Sequence, residues 1–132
     1  MKEELTAEEV VAEVRSGYED FRGRTIKGET TLSNQIINGN LLFQGAVFTG
    51  SVHLNCAVIK GILDFENAVF EQKIKDPTSS GTFLDMTNIQ VTGCIILAFE
   101  KPPAKIYVSL EIAELVHWAA PTVPLVVVQR AK

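Results

Sequence analysis

The sequence predicts an all-β solenoid, and two observations carry that reading. An eleven-residue period runs through the middle of the chain: KGETTLSNQII (27–37), NGNLLFQGAVF (38–48), TGSVHLNCAVI (49–59) and KGILDFENAVF (60–70). A unit this short cannot bury its apolar face alone, so it must stack on copies of itself. Side-chain size also alternates between successive units, which doubles the period to 22 residues and implies a four-sided coil made from two units.

The first element is a helix. Thr6 and Glu9 form a capping box, Leu5 and Val10 take the staple positions, and Gly17 follows the last turn. Val10, Val11 and Val14 share one face, giving a short amphipathic helix over about residues 7–15. An open solenoid end exposes apolar interior and unpaired backbone, so segment 5–15 is expected to cap the first coil.

The repeat register starts at SGYEDFRGRTI (16–26) and resumes in GTFLDMTNIQV (81–91) and TGCIIL (92–97). Slots four, six, nine and eleven point inward, each pair separated by one outward residue, so every unit contributes two short strands. Slot-two glycines (Gly17, Gly28, Gly39, Gly50, Gly61, Gly93) mark one corner, where a permissive backbone is useful. EQKIKDPTSS (71–80) is one residue short and puts Asp76, followed by Pro77, at an inward slot. A charged residue before proline predicts a loop there.

At slot six, Phe21, Phe43, Phe65 and Met86 alternate with Leu32, Leu54 and Leu97, predicting two columns that face each other across the core. Slot eleven follows with Phe48 and Phe70 against Ile37 and Ile59, although Ile26 departs. About four coils over residues 16–102, at about 4.8 Å each, would make a rod about 19 Å long. Outward slot ten is apolar in Ile36, Val47, Val58 and Val69, with Val47 over Val69 and Ile36 over Val58 expected. Arg24, Glu19 and Gln35 occupy inward slots of the first coil, which is expected to be irregular or shielded by the helix.

These residues resemble the pentapeptide-repeat family. Ala46-Val47-Phe48, Ala57-Val58-Ile59 and Ala68-Val69-Phe70 match its small-x-large step, and Leu63-Asp64-Phe65, Leu84-Asp85-Met86 and Asp20-Phe21 echo its second step. The resemblance covers roughly residues 16–100, in a looser, Phe-rich form that alternates five and six residues. It implies a right-handed four-sided β-helix, and the helical lead-in is similar to the family's N-terminal cap. Left-handed hexapeptide helices repeat at six, which does not divide this pattern. Bactofilin-like polymer-forming helices are three-sided and fit the 22-residue alternation less well.

Composition bounds the function. The chain has 132 residues, 46% of them hydrophobic, and a net charge of -4, which leaves no basic footprint for nucleic acid. The acidic start MKEELTAEEV carries no leader pattern, so a cytoplasmic protein is expected. Cys56 and Cys94 have no metal or disulfide spacing and are expected to be reduced, buried small residues. His53, at an outward slot, is expected to be solvent-exposed with no zinc partners. Neither a metal nor a cofactor is predicted, and no catalytic residue.

Two sets of residues are candidates for binding. Asp20, Asp64 and Asp85 are expected to share one outer face with Glu66 beside Asp64, forming a short acidic strip whose candidate contacts are Asp64, Glu66 and Asp85. The second set follows Lys101-Pro102-Pro103, in segment 103–132 of this single domain (1–132). A strand (106–110), a short helix (111–119) and a buried strand (123–128) are predicted there, with too many charges and prolines for a membrane span. This segment would cover the last coil and pair two copies of the chain, with Trp118, Leu125 and Val127 as candidate contacts. The resemblance likewise suggests a C-terminal homodimer. The functional expectation is a non-catalytic protein-interaction or scaffold module, with a polymer-forming structural element as the alternative. A DNA-mimic that binds topoisomerases is less favoured, because Lys27, Lys60, Lys73 and Lys75 mix with the acids. Loop 75–81 (KDPTSSG) is expected to be a tolerated excursion rather than a contact.

Overall fold

The computed structural model describes residues 3–71 and 82–128. The chain is mostly strands in parallel sheets with two short helices, compatible with a β-helix-like solenoid. Strand β1 (Glu4–Thr6) leads into α1 (Ala7–Arg15). A first pass supplies β2 (Thr25–Lys27), β3 (Thr30–Thr31), β4 (Ile36–Ile37) and β5 (Leu41–Leu42). A second supplies β6 (Val47–Phe48), β7 (Val52–His53), β8 (Val58–Ile59) and β9 (Leu63–Asp64). A third supplies β10 (Val69–Phe70), β11 (Phe83–Met86), β12 (Gln90–Val91) and β13 (Ile95–Ile96). The described chain ends in β14 (Lys105–Ser109), α2 (Leu110–Ala119) and β15 (Leu125–Val128).

Each pass visits four sheets in the same order. The sheets run β1-β2-β6-β10, β15-β14-β11-β7-β3, β12-β8-β4 and β13-β9-β5, every pairing parallel. Between the first two passes, residues 22 apart pair, as in Thr30 with Val52 and Ile36 with Val58. That is the superperiod predicted from side-chain size. Val47 over Val69 and Ile36 over Val58 also stack as expected.

After β10 the separation becomes 32, pairing Val52 with Leu84 and Leu63 with Ile95. The added ten residues equal the length of the defective unit 71–80; its loop reading, and loop 75–81, lie outside the described residues. The extra segment is close to one unit long, so it reverses the alternation for everything that follows. Two expected positions are corrected by this shift. Met86 extends the Leu32/Leu54 column, and Leu97 extends the Phe21/Phe43/Phe65 column.

The core is built as stacked aromatic rings. Phe21 and Phe43 are 5.5 Å apart and nearly parallel, Phe43 and Phe65 are 5.3 Å apart, and Phe48 and Phe70 are 4.8 Å apart. Phe43 also meets the edge of Phe48 at 5.2 Å, which locks the two columns together. Phe99 closes the stack against Phe65 and Phe70.

The capping box forms as read. Glu9 N donates to Thr6 Oγ1 and Thr6 N donates to Glu9 Oε1, both at 3.1 Å. Leu5, Val10 and Val14 are buried in the core cluster, and α1 lies against β1, β2 and β3. Strand β1 was not legible: three residues joined to a capped helix give no alternation to read. In the first pass Arg24 is buried and Glu19 Oε2 accepts a hydrogen bond from Gly39 N at 2.9 Å, which gives this inward carboxylate a partner.

Most slot-two glycines serve space rather than conformation. A Cβ on Gly50 would stand 2.5 Å from Gly28 O, on Gly61 2.8 Å from Gly39 O, and on Gly93 2.6 Å from Gly61 O. Glycine stacks on glycine there, with Gly61 N donating to Gly39 O and Gly93 N to Gly61 O. Gly17 and Gly28 do hold positive backbone angles, and the other positive angles fall at slot eight, at Gly23, Asn34, Gly45, Cys56, Asn67 and Asn88.

Candidate functional site at the C-terminal unit

The predicted acidic strip does not assemble. Asp20, Leu42, Asp64 and Ile96 share one column, whereas Asp85 stands in another sheet between His53 and Tyr107. The register shift after β10 is the cause. Each of the three aspartates has a local structural role: its Oδ1 accepts the backbone N–H two residues on, at Arg22 (3.2 Å), Glu66 (2.9 Å) and Thr87 (2.9 Å). Such Asx turns hold the corner that leads into the positive-φ residue.

The aspartates differ in surroundings. Asp64 is buried, 5% exposed, with Gln44 Nε2 donating to its Oδ2 at 2.6 Å, while Glu66 beside it is exposed. Asp20 pairs with Arg22 at 2.8 Å on the surface. The hydrogen bond from Arg22 holds the Asp20 carboxyl below its usual range despite some desolvation.

Two further expectations are corrected. His53 is half-buried, hydrogen-bonded to Glu29 and edge-on to Phe83 at 5.1 Å, two residues that each precede by two a member of its own column, Thr31 and Asp85. Cys56 is only half-buried and Cys94 is exposed, although both are free thiols as expected. Among the described residues no group of three or more His, Cys, Asp or Glu could hold a metal ion. No helix among them is long and apolar enough to cross a membrane.

The C-terminal elements fall within two residues of their predicted bounds. Strand β14 pairs with β11, setting Ile106 beside Leu84, so the unit continues the sheet of β3, β7 and β11. Helix α2 then returns the chain to β15, which pairs in parallel with β14 through Ile106 and Leu125. Val116 on α2 is buried, and Ile112, Ala113 and Ala119 pack partly against the core.

This unit is poorly covered. Of seven large hydrophobic residues exposed among those described, only Ile36 lies elsewhere; the others are Leu110, Leu115, Trp118, Val126, Val127 and Val128. Trp118 is 82% exposed. Strand β15 was predicted to be buried, yet only Leu125 is half-covered, because β15 is the outermost strand of its sheet. The candidates Trp118, Leu125 and Val127 therefore lie on one βαβ unit, two of them on its outer strand.

No protein-family model, curated protein or solved structure matches the chain.

Proposed function

We propose that the chain is a non-catalytic interaction or scaffold module that pairs with a second copy through its C-terminal unit. The observation that carries this reading is the gathering of exposed apolar side chains on α2 and β15. An edge strand that pairs on only one side among the described residues and carries three exposed valines is a template for another strand. A twofold pair of β15 strands would close that edge, with Trp118 and Leu115 adding apolar area beside it.

The recurring four-sheet order supports a right-handed, four-sided β-helix of the pentapeptide-repeat type. In that frame the stacked phenylalanines, the Asx corners and the glycine ladders are architectural, leaving the ends for recognition. A closed dimer is favoured over a bactofilin-like filament because α1 and β1 lie over the first pass at one end. Head-to-tail growth needs both ends open.

Light scattering at micromolar concentration tests the pairing. A mass twice the 14.5 kDa chain is expected, and Val127→Lys should return it to one chain with the circular dichroism spectrum unchanged. A monomeric mass for the unaltered protein would overturn the proposal, and regular filaments in electron micrographs would replace it with the polymer.

A further inference from the structure

Asn38-Gly39 is the one Asn-Gly pair in the sequence, and it forms the corner between β4 and β5. Asparagine before glycine is prone to self-modification, because the second residue has no side chain to hinder the carboxamide from closing onto the next backbone nitrogen. In that step the Gly39 nitrogen gives up its proton and bonds to the Asn38 carboxamide carbon, whose own nitrogen takes up a proton and leaves as ammonia. Water then opens the cyclic imide at either carbonyl, leaving aspartate or isoaspartate at position 38. Asn38 is exposed, so water reaches it.

The surroundings explain both why glycine stands at 39 and what restrains it. Gly93 N donates to Gly61 O and Gly61 N to Gly39 O, but at Gly39 this ladder ends, and its N–H donates to Glu19 Oε2 at 2.9 Å. A Cβ on residue 39 would stand 2.8 Å from Glu19 Oε1, so the approach of the carboxylate requires glycine there. Glu19 and Asn38 also line one small pocket, together with Val14, Arg15 and Ile36.

We propose that Asn38 is a self-modification site held closed by Glu19, which acts as a positioning residue on the Gly39 N–H. The Gly39 nitrogen becomes nucleophilic only by losing the proton that Glu19 holds, and the anion so formed would lie beside a carboxylate. Opening the site has a lasting consequence. Isoaspartate adds a methylene to the backbone directly before Gly39, whose carbonyl accepts the first rung of the glycine ladder, so conversion loosens the first pass from the second. Strand pairing at β15 takes no part in this, so the site stands or falls separately from the dimer.

Timed peptide mapping by mass spectrometry of the full chain in warm neutral buffer tests the proposal, with the chain unfolded in urea setting the unguarded rate. Conversion at Asn38 is expected to be at least about tenfold slower in the native chain than in the unfolded one. Glu19→Ala should speed native conversion about tenfold, the effect of losing one charge-assisted hydrogen bond. Glu19→Gln, which keeps an acceptor but not the charge, should fall between. Native-state hydrogen exchange should quicken at the Gly39 amide of Glu19→Ala, while the Leu41 amide, bonded to Ile62 O, keeps its rate. A Glu19→Ala protein that converts no faster than the native chain would overturn the proposal, and a slower one would do so by making Glu19 the base that promotes cyclisation. Exchange that quickens equally at both amides would mean general loosening and would overturn it as well. Should Glu19→Ala fail to fold, Glu19→Gln decides, and unchanged conversion there overturns the guard.

Discussion

The repeated passes and the C-terminal unit solve the same problem in opposite ways. In the passes, each short strand finds a copy of itself 22 or 32 residues away, and its inward side chain stacks on a like neighbour. Phe21, Phe43, Phe48 and Phe65 are wholly buried as a result. Among the described residues no strand pairs with the outer side of β15, so the apolar residues of β14, α2 and β15 stop at an open edge. Repetition supplies burial automatically; a terminus must obtain it from a fold-back or a partner.

The strongest way to break the repeated region is to empty its central column. Phe43 touches rings above, below and beside it, so Phe43→Ala should cost about 4 kcal/mol of unfolding free energy. Chemical denaturation would measure this, with Val127→Lys as the contrasting change of little monomer cost. Gly61→Ala comes next. Its Cβ would meet the backbone oxygen of Gly39, which cannot move without disturbing the glycine ladder, for a loss of about 2 kcal/mol. Gly45→Asn should be nearly neutral, since nothing lies near that Cβ and Asn67 adopts the same backbone one pass later.

The same distinction decides what could be read from residues alone. Period and side-chain size gave the strands, their 22-residue register and the inward positions, because each position repeats and stacking makes neighbours of like residues. The capping box was legible because its signal is local. The jump to 32 was not: residues 71–80 are close in length to a true unit, so counting units kept a parity that the stack does not follow. That is why Met86, Leu97 and Asp85 were expected on the wrong sides. The slot-eight Gly and Asn residues were a readable sign of positive φ, whereas the slot-two glycines divide between positive φ at Gly17 and Gly28 and close approach at Gly50, Gly61 and Gly93. For the candidate site, Trp118, Leu125 and Val127 were legible as surplus apolar residues.

Cys56 connects the two regions and gives a smaller effect of opposite sign. It holds φ of 61° at a slot where its stacking neighbours are Asn34 and Asn88, and cysteine tolerates that backbone less well than asparagine. Cys56→Asn should therefore stabilise the protein by about 0.5 kcal/mol, raising the denaturation midpoint without changing the slope. A lower midpoint would show that the half-buried thiol contributes packing that outweighs the backbone cost.

The smallest effect belongs to the exposed corner at Asp20. Its carboxyl titrates lower in the folded chain than in the unfolded one because Arg22 hydrogen-bonds the charged form. A depressed folded value means that the contribution is fully present above the unfolded value, about 3.9, and is lost as pH falls through the folded one. Melting temperatures of the native protein and Arg22→Gln should therefore differ slightly at pH 6 and converge as the solution is acidified below about pH 4. Salt should shrink the difference as well, since both side chains face water. The backbone bond from Arg22 N to Asp20 survives the substitution, so only the ion pair is tested. If the difference instead grew on acidification, Arg22 would be stabilising the corner through something other than the Asp20 charge, and the exposed corners would belong with the packed passes rather than with the solvated surface.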